Sequence, residues 1–104
     1  MAPESAPVVN NQAENRFEES MDGQTALLQY LLSGDQITFL HTEVPPEFEG
    51  RGVGGELVRT GLEYARSHAL KIVPVCSFVA GYLKRHPEYI DLVADSHKDK
   101  VPQS

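Results

Sequence analysis

The 104-residue chain has a single cysteine, no tryptophan, few cations and no long apolar run. One cysteine cannot close an internal disulfide, which suits a reducing compartment, and it excludes zinc sites built from four cysteines or from two cysteines and two histidines. Nine Lys and Arg stand against 15 Asp and Glu, for a net charge of −6 and a pI near 5.1. That balance argues against non-specific nucleic-acid binding and against attraction to an anionic membrane, both of which want a basic face. No stretch approaches the roughly 20 apolar residues that span a bilayer. The opening Met-Ala-Pro-Glu-Ser-Ala-Pro has neither the cationic patch nor the apolar core of a signal peptide. The expectation is a small, acidic, cytoplasmic domain, monomeric or weakly dimeric.

What is present is ordered by its turn residues. Residues 1–14 read as a disordered tail with two prolines and a polar Asn10-Asn11-Gln12 run. Residues 95–104 read as a flexible C-terminal tail, which leaves one domain over 15–94. Arg16 to Met21, Thr25 to Leu32 and Gln36 to Val44 are strand-like, separated by Asp22-Gly23 and Ser33-Gly34-Asp35. Three strands with tight turns make an antiparallel meander. Pro45-Pro46 ends it. The apolar period then changes: Val53, Leu57, Val58, Leu62 and Ala65 recur at helical spacing, giving an amphipathic helix from about Gly52 to His68. Lys71 to Val75 is a short buried strand, joined to the third by a right-handed crossover. A second helix runs from Ser77, a plausible N-cap, to His86 before Pro87. The class is α+β, in the order β-β-β-α-β-α.

The most informative segment is Glu-Gly-Arg-Gly-Val-Gly-Gly, residues 49 to 55, set between a strand and a helix. Glycines let the chain turn sharply and bring backbone amides close to a ligand. The first amides of the helix point outward with the positive end of its dipole, which suits phosphate oxygens. A plain linker is the alternative, but linkers rarely place four glycines flush against an amphipathic helix. Gly50, Gly52 and Gly55 formally satisfy the dinucleotide fingerprint, yet five residues separate them from the strand. No acid ends the next strand to hold a ribose. The lysine of an ATP-binding P-loop is absent. NAD and ATP both fit poorly.

A strand, then Arg-Gly-x-Gly-x, then a long amphipathic helix resembles the acetyl-CoA-binding motif of the GNAT acetyltransferases. With Lys-Ile-Val-Pro-Val-Cys-Ser-Phe-Val and Arg-His-Pro-Glu-Tyr further on, the chain is similar to the short, single-domain branch of that superfamily, over about Asn15 to Val93. Glu49 stands where the motif has Gln or Arg. The resemblance implies that Gly52, Val53, Gly54 and Gly55 hold the pyrophosphate of acetyl-CoA, with Arg51 adding charge. It implies that the strand end at Thr42 and Val44 binds the pantetheine arm through its backbone, and that Cys76 and Ser77 lie near the acyl group. It also implies a proton donor to the departing thiolate, for which Tyr82 is the candidate; helical packing is its alternative.

Three further residues bear on chemistry. Cys76 precedes a helix whose N-terminus favours a thiolate, although a lone cysteine there is more often a small buried hydrophobe. His41, near the end of the third strand, is the candidate base for an amine nucleophile and by alternation shares a face with Phe39 and Glu43. Glu43 is the second candidate base. The reading is an acetyl-CoA-dependent N-acetyltransferase of minimal size acting on an unknown small or protein amine, with no metal site. A non-catalytic CoA-binding module is the alternative, since nothing before Arg16 looks able to wall an acceptor site.

Overall fold

Two glycines in the left-handed region, Gly23 (φ 78°) and Gly34 (φ 58°), turn the chain back on itself twice, a conformation that only a residue without a Cβ adopts freely. The computed structural model describes residues 8–21, 23–48, 50 and 52–94. Strands β1 (Val9–Asn11), β2 (Arg16–Met21), β3 (Gln24–Ser33) and β4 (Gln36–Glu43) form an antiparallel run. Helix α1 (Val53–Ser67) crosses over to β5 (Lys71–Pro74), which lies parallel to β4. Helix α2 (Ser77–Arg85) and a 3-10 segment (Pro87–Leu92) follow, and the sheet order is β1-β2-β3-β4-β5.

The expected meander is present with one strand added. Residues 9–11 fall inside the stretch expected to be a tail, yet Val9 and Asn11 pair with Glu18 and Arg16. Polar sequence hid this strand because long-range bonds hold it. The Tyr30 phenol donates to Asn10 Oδ1 at 2.6 Å, and Asn11 Nδ2 donates to Glu18 Oε2 at 3.1 Å. Residues 1–7 and 95–104, the rest of the two expected tails, lie outside the described residues.

One face of the sheet carries both α-helices. Leu57, Val58, Leu62 and Ala65 of α1 and Val79 and Leu83 of α2 are buried in a single cluster with Phe17, Leu28, Tyr30, Phe39 and Ile72. The helix lies so close to the sheet that a Cβ on Gly61 would sit 3.0 Å from the Phe39 ring and 3.3 Å from Leu28. Burial of this apolar stripe is what holds the helices down.

The sheet parts between its last two strands. The parallel ladder runs from Gln36 opposite Lys71 to Phe39 opposite Pro74, and is followed by one bond from the Cys76 amide to the Phe39 carbonyl at 2.9 Å. At the same level the β3–β4 register slips, so that Tyr30 faces Phe39 but Gln29 faces His41. Leu40 is thus an extra residue on β4, a bulge that bends the strand. From there β4 continues against β3 alone.

The C-terminal side of the core is closed by Tyr89, whose phenol donates to Glu63 of α1 at 2.6 Å with Arg66 over the ring. That hydrogen bond, with burial behind it, pushes the Tyr89 phenol up to about 12. A raised folded-state value means its contribution is full below the ordinary tyrosine range and is lost as pH rises towards 12. Tyr89→Phe is expected to cost about 1 kcal/mol at neutral pH. It should also remove Tyr89's share of the stability lost between about pH 10 and 12, leaving the share of the other buried tyrosines, as urea melts of parent and variant at neutral pH and across that range will measure.

Candidate functional site

Helix α1 begins on glycines for a conformational reason. Gly50 (φ 83°) and Gly52 (φ 73°) are both left-handed, and a Cβ on either would meet nothing within 4 Å. Gly52 is the N-cap, and no side chain caps the helix. Its carbonyl accepts from the Glu56 amide at 3.0 Å, so the intrahelical ladder starts there. The amides of Val53, Gly54 and Gly55 precede that ladder and are left for another partner.

These amides border a pocket of about 420 Å³. Thr42 and Val44 line it from the end of β4, Phe48 from the turn that follows, Gly50 and residues 52–55 from the loop and α1, and Phe78 from α2. The pocket thus joins the uncapped helix end to the gap where β4 leaves β5. Its lining sets backbone dipoles of the kind that suit an anion beside an apolar slot. Of the residues expected to hold a cofactor, Thr42, Val44, Gly52, Val53, Gly54 and Gly55 meet here. Arg51 and its neighbour Glu49 lie outside the described residues. Ser77 is exposed at the head of α2 and is not its N-cap; Cys76 is, without a side-chain cap bond.

Two aromatic residues of the pocket escaped the sequence reading. Phe78 shares an apolar helical stripe with Tyr82 and Leu83, yet it is 40% exposed at the pocket wall. Phe48 is buried under the loop. Phe78 also supplies a reason for Gly54 beyond close approach to a phosphate: a Cβ there would lie 2.8 Å from the Phe78 Cζ and 3.6 Å from Val44 Cγ2.

The catalytic candidates divide between two faces of β4. Phe39 packs on α1, and so does Val44. Alternation back from Val44 puts Thr42 on that face and His41 and Glu43 on the other. The expectation that His41 shares a face with Phe39 is therefore corrected, because the bulge at Leu40 shifts the alternation by one. His41 and Glu43 do share a face: His41 Nε2 and Glu43 Oε2 are 2.9 Å apart, both more than half exposed.

Cys76 is buried on the helix side, its Sγ 3.3 Å from Thr42 Oγ1 across the gap between the strands. Tyr82 does not line the pocket. It stacks on His86 with ring centroids 4.1 Å apart, and it lies behind Gly55, whose Cβ would meet its ring at 3.7 Å. Burial raises its phenol above the ordinary tyrosine range. Among the described residues no cluster of His, Cys, Asp or Glu is arranged to hold a metal ion, and no helix is long and apolar enough to cross a membrane.

Residues 16–92 match the family model of the GCN5-related N-acetyltransferases. The chain belongs to this family. Similar curated proteins include Protein NATD1 of Mus musculus, 30% identical over 77% of this chain and 76% of its own length. Protein NATD1 of Xenopus tropicalis is 31% identical over 84% of each chain. A GCN5-like protein from Staphylococcus aureus, solved by NMR, superposes with a TM-score of 0.68 at 30% identity, covering 88% of this chain and 91% of its own. The family match spans the glycine loop, the parting strands and both helices, so the pocket sits on the elements that carry the likeness.

The contact between Gly54 and Phe78 is testable without a ligand. In the parent, Gly54→Ala pushes the Phe78 ring aside; in a Phe78→Ala background it keeps only an ordinary contact with Val44 and gains helix propensity. A double-mutant cycle by thermal melts is expected to give a coupling of about 0.5–1 kcal/mol, with Gly54→Ala the more favourable in the Phe78→Ala background.

Proposed function

We propose that the protein is an acetyl-CoA-dependent N-acetyltransferase of minimal size, transferring acetyl to an amine that approaches the face of the sheet without α-helices. The observation that carries this reading is an uncapped helix N-terminus opening on the same pocket as the gap between β4 and β5. The residues present fit the group. Amides of Val53, Gly54 and Gly55 suit pyrophosphate oxygens, and the slot between Val44 and Phe78 suits an apolar arm. The backbone of β4 beyond Phe39 has lost β5 as a neighbour, and it offers donors and acceptors to an extended amide chain. Arg51, next to Gly52 in the sequence, is assigned to add a positive charge.

Bound there, acetyl-CoA supplies an acetyl group activated as a thioester. The chain supplies position and a proton acceptor. An ammonium group with a pKa near about 10 must lose a proton before it can attack. His41, paired with Glu43 on the exposed face, is the group assigned to receive it. Cys76, whose Sγ touches Thr42 Oγ1, is assigned to the acyl end of the slot. Tyr82, behind Gly55, is assigned to packing rather than to proton donation.

Calorimetric titrations with acetyl-CoA, CoA and NAD side by side test the site: the first two are expected to bind and NAD is not. Binding of NAD alone would overturn the reading. His41→Ala is expected to lower acetyl transfer to an amine panel by roughly 100-fold while CoA still binds, and Glu43→Gln is expected to lower it less. A parent that binds acetyl-CoA but acetylates no amine, peptide or polyamine leaves a CoA-binding module instead.

A further inference from the structure

Thr42 lines the pocket from β4, and its hydroxyl touches Cys76, a buried residue beyond that lining. β4 and β5 part after Phe39 and Pro74, and the Cys76 amide still bonds the Phe39 carbonyl at 2.9 Å. Three residues along β4 from Phe39, Thr42 Oγ1 remains 3.3 Å from Cys76 Sγ. The backbones have diverged there, but the side chains still touch. A contact of that length leaves no room for a carbon chain between the two atoms.

The surroundings do not yield easily. Cys76 is 8% exposed, and Phe39 and Val79, which adjoin it through the ladder and through one turn of α2, are fully buried. A close-packed core does not open for an extra methylene without displacing side chains. Thr42 is β-branched, with few rotamers in which to retreat. The mouth differs: there Phe78 is 40% exposed and the glycines at 50 and 52 leave open space around them.

We infer that the Thr42–Cys76 contact limits the acyl group this site accepts, admitting acetyl and refusing acyl chains of four carbons or more. The inference rests on the acetyl-CoA reading above and adds to it a preference among thioesters. An arm that enters from the α1 end and follows β4 brings its thioester to this contact. Acetyl adds only a carbonyl and a methyl beyond the sulfur. A butyryl chain adds two further methylenes, which must part Thr42 from Cys76 or press into the core.

The test is a binding comparison, so it needs neither an acceptor nor turnover. CoA, acetyl-CoA and butyryl-CoA are titrated calorimetrically into the parent, Thr42→Ala and Cys76→Ala, and affinities are compared as ratios within each protein. In the parent, acetyl-CoA is expected to bind as tightly as CoA and butyryl-CoA about ten-fold more weakly or worse, the discrimination a fitted pocket gives for added methylenes. In at least one variant the ratio of butyryl-CoA to acetyl-CoA affinity is expected to rise towards one. Equal affinity for butyryl-CoA and acetyl-CoA in the parent overturns the inference, as does a parent ratio that neither variant alters. A parent that binds none of the three overturns the acetyl-CoA reading and this inference with it. A parent that binds CoA and both thioesters alike overturns the size limit alone.

Discussion

Everything at the candidate site depends on the separation of two parallel strands. A continuous β4–β5 ladder would pair the backbone that borders the pocket and leave no entry between the strands. The ladder stops at one level of the sheet. β5 ends at Pro74, and the bulge at Leu40 bends β4 and advances its side-chain alternation by one residue. The same bulge decides which residues face which way. Thr42 and Val44 turn towards the helices and the pocket, while His41 and Glu43 turn to the opposite face. The pocket-lining side chains and the His41–Glu43 pair are thus put on opposite faces by a single inserted residue.

The second requirement is an anion site in a chain of net charge −6. A cluster of cations is one solution. This fold has another, the end of a helix whose first amides are left unused and uncapped. The glycines around it serve different ends. Gly50 and Gly52 are needed for their left-handed backbone, and Gly54 for the ring of Phe78 against it. Backbone dipoles of this kind are in position without any side-chain rearrangement.

The helices are held in place by contacts that reach far along the chain. Phe39 on β4 meets Gly61 near the middle of α1, so the strand that borders the pocket and the helix that opens it share one packing contact. Tyr89 bonds Glu63 from beyond α2, tying the C-terminal segment to the same helix. The pocket is therefore framed by the core itself, and the partly exposed Phe78 is the one aromatic ring of its wall that stands outside that core.

Much of this was legible in the amino-acid sequence, since local signals carry it. Gly23 and Gly34 mark hairpins by their backbone freedom, Pro45 and Pro46 stop β4, and the 3.6-residue stripe from Val53 to Ala65 specifies α1. The glycine loop ahead of a helix announced an anion site because the chemistry of a helix end does not depend on what surrounds it. Tertiary structure alone decided the rest. β1 exists because Asn10 finds Tyr30, twenty residues away, a partner that no local pattern names. The facing of His41 could not be read by alternation, since a bulge forms where two strands must bend together and only the register of β3 against β4 reveals it. Phe78 lies on an apolar stripe like any core residue, and it borders the pocket because α2 packs with that residue against Gly54. Periodicity determines which residues share a face; only packing determines what that face meets.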